Sequence, residues 1–182
     1  MGMTAPPETW VFAYGSLMWN PGFAAPEAVL ARLDNYARSF CMWSIHHRGT
    51  EADPGLVLAL DTEAGASCRG MAFRLPDEGH DEVLAELRER ELISSAYYEA
   101  CVPLALDDGR EVEALAYIVA RDHVQYCGGL SMERQAEVIA HAVGGRGPNT
   151  EYLFNTAAHL TELGIEDADL TALAQRVREL NA

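Results

Sequence analysis

The first residues of this sequence that could carry out chemistry lie in the run from Trp10 to Pro21, where an apolar stretch leads into Tyr14-Gly15-Ser16-Leu17. This order predicts a buried strand that ends in a tight turn, with backbone N–H groups presented at the turn. Glycine lets the main chain approach a ligand closely, and Ser16 adds a hydroxyl group beside those N–H groups. The turn could therefore hold a carboxylate or a developing oxyanion. The structural alternative is a strand–loop junction in which Gly15 only relieves strain.

The second candidate is Glu91, at the end of a segment whose apolar residues recur at helical spacing. On a helix, Leu84, Leu87 and Glu91 share one face, whereas Glu86 and Glu89 point away from it. A carboxylate on a face directed at the core must be paired, lie in a solvated cleft or have a raised pKa. Glu91 is therefore a candidate general base, and the alternative is a helix-end glutamate paired with an arginine of the same helix.

The charge balance limits the partners of the protein. With 28 acidic and 13 basic residues the formal net charge is −15, which argues against binding to nucleic acid or to an anionic membrane surface. No apolar segment approaches the roughly 20 residues needed to span a bilayer. The N-terminal residues lack the features of a signal peptide, so we expect a cytoplasmic protein with a frayed tail over residues 1–8. Arg48 is a local cation that could attract an acidic ligand, unless it forms an exposed ion pair.

The elements that must position these residues form a strand-rich first half and a helical C-terminal layer. We expect strands near 10–14, 36–47, 56–60 and 67–75, a strand or short helix over 27–34, and a turn at 63–66. A helix over 77–92 follows, and then strands 98–106 and 111–120 joined by a hairpin turn at 107–110. Helices 131–143, 149–163 and 167–180 complete the chain, with Ser131 and Asn149 as caps. The pattern predicts a curved sheet or barrel in one α+β domain over residues 1–182.

The four cysteines are widely spaced and form no Cys-x-x-Cys pair or metal-ligand pattern. They are Cys41, Cys68, Cys101 and Cys127. We expect four buried or half-buried thiols in a reducing compartment, with Cys127 as the candidate for exposure.

Four stretches, in this order, are similar to those of one known family. They are Trp10 to Phe23, Arg38-Ser39-Phe40 with His47-Arg48-Gly49-Thr50 and Pro54-Gly55-Leu56, Arg90-Glu91 with Ala96-Tyr97, and the set Gly144, Gly147, Asn149, Glu151, Tyr152 and Leu153. Together they resemble the ChaC family of γ-glutamylcyclotransferases over nearly the whole chain.

The resemblance implies the γ-glutamylcyclotransferase-like fold, a small mixed β-barrel with surrounding helices. It also implies an enzyme that releases 5-oxoproline and cysteinylglycine from glutathione without a metal or organic cofactor. By the same resemblance, Tyr14-Gly15-Ser16-Leu17 holds the γ-glutamyl group, Glu91 is catalytic, and Arg48 and Tyr97 belong to the substrate pocket. The chain departs from the family at Ser94-Ser95-Ala96, where glycine usually precedes the tyrosine.

The chemistry of this reaction agrees with the residues present. The α-amine of the substrate attacks its own γ-carbonyl, so the nucleophile is intramolecular and the enzyme needs a base rather than a nucleophile. We therefore expect one pocket lined by Glu91 and the N–H groups of the turn. The expected partner is the small-molecule substrate glutathione, and the expected oligomeric state is a monomer. The alternatives are a cyclotransferase for other γ-glutamyl amines or dipeptides, and a non-catalytic binding or regulatory protein associated with cation transport.

Overall fold

The computed structural model describes residues 8–92 and 95–182. Most of the expected frayed tail, residues 1–8, lies outside the described residues, as does Ser94 of the segment that departs from the family. Contacts between Cα atoms divide the chain into two compact units. The first unit contains residues up to 37 and 62–119, and the second contains residues 38–61 and 120–182. The expectation of one γ-glutamylcyclotransferase-like domain over 1–182 stays a prediction.

Five strands close into a β-barrel in the order β1-β3-β2-β4-β5. They are β1 (Trp10–Ala13), β2 (Glu27–Ser44), β3 (Gly55–Arg74), β4 (Tyr97–Leu106) and β5 (Glu111–Val119). The barrel is mixed because β1 pairs in parallel with β5 and antiparallel with β3. The expected α+β fold with a mixed β-barrel is confirmed.

The described residues also form four α-helices, none of which is long and apolar enough to cross a membrane. They are α1 (His80–Leu92), α2 (Met132–His141), α3 (Asn149–Glu162) and α4 (Ala168–Leu180). Two short strands, β6 (Val143–Gly144) and β7 (Gly147–Pro148), pair between α2 and α3.

Two barrel strands are longer than the sequence indicated. β2 has 18 residues and β3 has 20, so the turn expected at 63–66 is wrong. Asn35 and Gly65 have left-handed backbones, with φ of 70° and 84°, and the Asn35 side-chain oxygen accepts a hydrogen bond from the Gly65 N–H at 3.1 Å. The glycine signal at 65 therefore marks an irregularity within a continuous strand rather than the end of the strand.

In the first unit, β1 is completely buried and lies between β3 and β5. The predicted β4–β5 hairpin is present, with Glu99 opposite Tyr117. Helix α1 packs against β4 through a face on which Leu87 is buried. Glu86 and Glu89 are exposed, as the helical spacing predicted.

In the second unit, helices α2, α3 and α4 pack against one another. Ser131 caps α2 as predicted, since its hydroxyl accepts a hydrogen bond from the Arg134 N–H at 3.1 Å. The predicted capping role of Asn149 is wrong, because its side chain binds the main chain of Leu56 instead. The Asn149 oxygen accepts from the Leu56 N–H at 2.8 Å, and the Asn149 nitrogen donates to the Leu56 carbonyl at 2.9 Å.

The four cysteines are free thiols with different exposures. Cys41 and Cys68 are buried, Cys127 is half-buried and Cys101 is exposed. The expectation that all four would be at least half-buried is wrong for Cys101, because side chains alternate along β4 and this one points outward. Burial raises the pKa of the Cys127 thiol to about 11, so this thiol is protonated at neutral pH and unreactive.

Candidate active site

The Tyr14-Gly15-Ser16-Leu17 segment forms the tight turn that the sequence predicted at the end of β1. Residues Ser16–Met18 make one turn of 3₁₀-helix that begins directly after Gly15. The Met18 N–H donates to the Gly15 carbonyl, and the Asn20 N–H donates to the Ser16 carbonyl, both at 2.8 Å. Leu17 is buried and Ser16 is exposed. The first N–H groups of such a turn have no acceptor within it, so they can donate to a ligand.

Open space lies beside the turn at Gly15. Apart from its two chain neighbours, no described residue would have a heavy atom within 4 Å of a Cβ atom added to Gly15, although Gly15 itself is buried. The absent side chain of Gly15 therefore leaves space that the described residues do not fill.

Glu91 lies at the C-terminal end of α1 and is largely removed from solvent. Its side chain is 17% exposed, while the other glutamates of the helix are on the outside. Burial raises the pKa of Glu91, and the positive charge of Arg90 opposes part of that rise. A raised pKa makes this carboxylate a stronger base than an ordinary glutamate, as a group that accepts and returns a proton requires.

Arg90 connects the end of α1 to the turn after β1. Its Nη1 donates to the carbonyl of Asn20 at 2.9 Å, and its Nη2 lies 3.4 Å from the hydroxyl of Ser16. Its Nε is 3.8 Å from Oε1 of Glu91. One side chain therefore contacts both the predicted binding turn and the predicted base.

A second carboxylate, Glu99, was missed by the sequence reasoning. It accepts two hydrogen bonds from Arg88, at 2.9 and 3.1 Å, and one from the Tyr117 hydroxyl at 3.0 Å. The hydrogen bonds from Arg88, together with that from Tyr117, lower the pKa of Glu99. Burial is the main cause of the raised pKa of Tyr117, followed by its hydrogen bond to Glu99, and the negative charge of Glu91 adds a smaller contribution. Glu91 is therefore close enough to act electrostatically on this network. The hairpin register, which sets residue 99 opposite 117, could have revealed the pair.

The two carboxyl groups thus have pKa values displaced in opposite directions. Glu99 is held ionised by direct hydrogen bonds, whereas Glu91 has only a longer contact with a cation and is buried. Opposite displacement of two neighbouring carboxyl groups is a common way to separate the acid–base group from a permanently charged one. This difference favours Glu91 as the group that exchanges a proton.

Tyr97 is half-buried at the start of β4, where it pairs with Val119. Arg48 lies in the second unit, in the segment that follows β2, and its side chain is 14% exposed. The guanidinium donates to the Pro148 carbonyl at 3.1 Å, approaches Glu151 at 3.9 Å and lies 5.8 Å from the centre of the Tyr152 ring. The contacts through Arg90 thus connect Glu91 with the turn, and the contacts described for Arg48 are with residues 148–152.

The described ranges 8–92 and 95–182 contain no group of three or more His, Cys, Asp or Glu residues that could hold a metal ion. The contacts of Arg90 bring together the largely buried carboxyl group of Glu91 and the turn that begins at Gly15.

Comparison with known proteins places this chain in a family. A family model described as ChaC-like protein matches residues 9–180. A relative from Escherichia coli strain K12, named glutathione-specific gamma-glutamylcyclotransferase, is 38% identical over 173 residues, which cover 95% of this chain and 74% of the relative. Human glutathione-specific gamma-glutamylcyclotransferase 1 is 30% identical over 176 residues, covering 94% of this chain and 79% of that protein.

Solved structures agree with the sequence comparisons. A crystal structure of a yeast gamma-glutamyl cyclotransferase specific to glutathione matches with a TM-score of 0.83 and 25% identity, over 94% of this chain and 96% of that chain. The fold, the family model and the relatives all agree with the four stretches of sequence, and the chain belongs to the ChaC-like family of γ-glutamylcyclotransferases.

Proposed function

We propose that this protein is a glutathione-specific γ-glutamylcyclotransferase, which converts glutathione into 5-oxoproline and cysteinylglycine. The observation that carries the proposal is the buried carboxyl group of Glu91, joined through Arg90 to a turn with open space at Gly15. The names of the relatives from Escherichia coli and human support glutathione as the substrate.

The reaction closes a five-membered ring within the substrate. Glu91 takes a proton from the α-ammonium group, and the resulting amine attacks the γ-carbonyl carbon, forming a C–N bond. The oxygen of the tetrahedral intermediate accepts hydrogen bonds from N–H groups of the turn. The bond between the γ-carbon and the cysteine nitrogen then breaks as Glu91 returns its proton to that nitrogen. The ring nitrogen gives up its second proton, and the amine of the departing cysteinylglycine takes it up, so the products are a neutral lactam and an ammonium group. Protons balance, and no cofactor takes part.

The raised pKa of Glu91 suits it for both steps. A carboxylate with an ordinary pKa is too weak a base for an ammonium group and too weakly protonated to assist the leaving nitrogen. Burial, the main cause of the shift, moves the pKa toward neutrality. Since the reaction starts with the ionised carboxylate, kcat/KM should fall as the pH drops through this raised pKa.

The remaining predicted residues are assigned to substrate binding. In this proposal Tyr14, Gly15, Ser16 and Leu17 contact the γ-glutamyl group. An arginine has five N–H donors, and Arg48 uses one of them in its bond to Pro148, so it retains donors for a substrate carboxylate. We also assign Tyr97 to the pocket on the family resemblance.

The proposed function includes a cellular compartment and an oligomeric state. Four free thiols are compatible with the reducing cytoplasm, where we propose that the enzyme acts. The mechanism uses no residue from a second copy of the chain, so the expected monomer is sufficient.

The test is a 5-oxoproline assay with glutathione, run on the wild type and on Glu91→Gln. We expect kcat to fall by about 10²–10⁴-fold, the usual contribution of a general acid–base group. Glu89→Gln is the matched control, since Glu89 lies on the exposed side of the same helix and should keep its activity. Turnover by Glu91→Gln at the wild-type rate would overturn the assignment of the base.

The same assay decides the substrate class. Incubation with γ-glutamyl-alanine in place of glutathione should give little 5-oxoproline if the enzyme is specific for glutathione. Equal rates with both substrates would instead indicate a cyclotransferase for γ-glutamyl dipeptides in general. Binding of glutathione without any product would indicate a non-catalytic member of the family.

A further inference from the structure

The two arginines near the end of α1 use their guanidinium groups differently. Arg88 makes a two-point contact with the carboxylate of Glu99, the usual way in which an arginine fork is satisfied. Arg90 instead bonds to two neutral oxygens, the carbonyl of Asn20 and the hydroxyl of Ser16. Its contact with a carboxylate, that of Glu91, is longer at 3.8 Å.

Neutral acceptors fix the position of a guanidinium without neutralising its charge. Arg90 therefore keeps its positive charge beside Glu91 while its two terminal nitrogens contact the first residue of the 3₁₀ turn, Ser16, and Asn20, two residues beyond its end. Gly22, which follows the turn with φ of 84°, also lies close, since a Cβ added there would be 3.8 Å from Nη1 of Arg90.

We propose that Arg90 is a positioning residue of the reaction, which ties the substrate-binding turn to the helix end that carries the catalytic carboxyl group. This role rests on the proposed function of Glu91 and of the turn. The base must meet the α-amine while the turn holds the same γ-glutamyl group, so the separation of helix end and turn determines whether both can act. A small error in such a distance is costly in an intramolecular reaction.

The geometry also explains why the proposed role at position 90 needs an arginine side chain. The two acceptors lie on residues 16 and 20, and the planar fork of a guanidinium reaches both at once. A lysine carries the same charge on a single nitrogen, so it can satisfy only one of them. A glutamine in its place would lose the charge beside Glu91.

The experiment compares Arg90→Lys, Arg90→Gln and the control Arg32→Gln in the full-length protein. Arg32 is a partly exposed arginine of the first unit that pairs with Asp34 at 2.9 Å, and it lies outside the proposed site. We measure kcat and KM for glutathione, the pH profile of kcat/KM and the melting temperature. Glutathione binding is also measured by calorimetry in a Glu91→Gln background, where turnover is expected to be too slow to interfere.

We expect Arg90→Gln to lower kcat/KM by about 10- to 100-fold and to move the acid limb of the profile to higher pH. The limb moves because the neighbouring cation that favours ionised Glu91 is lost. Arg90→Lys should keep the position of the limb and recover part of the rate. In the Glu91→Gln background, Arg90→Gln should weaken glutathione binding, and Arg32→Gln should match the wild type throughout.

Two outcomes overturn the role of Arg90. One is an unchanged kcat/KM and pH profile in Arg90→Gln. The other is an equal loss in both Arg90 variants, with an unmoved acid limb and a lowered melting temperature, which would mean a purely structural contact. A wild type that neither binds nor cyclises glutathione overturns the proposed function, and the role with it. An active wild type with an unaffected Arg90→Gln overturns the role alone.

Discussion

Gly15 and Gly49 stand beside two residues with a proposed part in binding, Ser16 and Arg48, yet their surroundings are opposite. A Cβ atom at Gly15 would lie more than 4 Å from every described residue except its chain neighbours, whereas one at Gly49 would overlap the main-chain nitrogen of Gly55. The first glycine leaves space open, and the second lets two main-chain segments touch.

The same contrast extends to the segments around them. The segment that carries Arg48 is held mainly through its main chain: the Gly145 N–H donates to the carbonyl of His46 at 2.7 Å, and the Arg146 N–H donates to that of His47 at 2.9 Å. The turn at Gly15 is instead joined to α1 by the long side chain of Arg90. Close backbone packing thus fixes the segment that carries Arg48. Beside the turn at Gly15, which is proposed to bind substrate, space is left open.

The largest effect that tests this contrast is expected for Gly49→Ala. The added methyl group would overlap backbone atoms of Ser44, Pro54 and Gly55, and backbone cannot move aside as a flexible side chain can. Overpacking of this kind should lower the free energy of unfolding by about 3 kcal/mol. Urea denaturation followed by circular dichroism measures this change.

Gly15→Ala is the matched substitution in the open region. Its methyl group would lie more than 4 Å from every described residue other than its two chain neighbours, so no overpacking is expected and the free energy of unfolding should change by about 1 kcal/mol, less than for Gly49→Ala. The 5-oxoproline assay should nevertheless show a loss of at least tenfold, because the methyl group fills space assigned to the substrate. A Gly15→Ala enzyme with full activity would contradict the assignment of the open space at Gly15 to the substrate.

Asn149→Ala, in the second unit, is expected to lower the free energy of unfolding somewhat less than Gly49→Ala does. Asn149 is fully buried, and its removal leaves the N–H and carbonyl of Leu56 without their partners. An unsatisfied buried polar group costs about 1–3 kcal/mol, so we expect a loss of about 2–3 kcal/mol in urea denaturation. Thr161→Ala is the control, because its hydroxyl makes only an exposed bond to Ala157. Equal stability of the two variants would mean that the two hydrogen bonds between Asn149 and Leu56 contribute nothing to the free energy of unfolding.

Much of the first unit could be predicted from sequence because its signals are local. Helical spacing placed Glu91 on the buried side of α1, and the turn at 107–110 set the register of β4 and β5. The turn at 63–66 was wrong because Gly65 gives the same local signal in a kinked strand as in a true turn. Its hydrogen bond to Asn35 depends on strand pairing that local spacing does not reveal.

The contacts of Arg48 could not be predicted from the sequence for a related reason. Its partners, Pro148, Glu151 and Tyr152, are distant in sequence and meet it only in the folded chain. The family resemblance marked Asn149 and Tyr152 without giving their roles, which the structure supplies: both bind the main chain of β3, at Leu56 and Leu58. Arg90 was noted as part of a motif, but only its contacts connect it to the turn.

The smallest predicted effect on stability concerns the contact between His141 and Asp53, a residue of the segment that follows Arg48. His141 at the end of α2 lies 2.9 Å from Asp53, and the hydrogen bond to Asp53, followed by one to the Glu137 carbonyl, raises the pKa of His141. A raised histidine pKa means that the contact stabilises the fold fully below the ordinary pKa of about 6.5, and that this contribution is lost as the pH rises through the higher folded value.

Asp53→Asn should therefore be less stable than the wild type at pH 6, and the difference should shrink by pH 9. Both side chains are more than half exposed, so the difference should not exceed about 0.5 kcal/mol. Urea denaturation at the two pH values measures it. Since the main-chain hydrogen bonds that hold this segment do not titrate, the pH dependence should stay this small. A difference of several kcal/mol, or one that grows with pH, would mean that charge rather than backbone packing fixes the Arg48 segment.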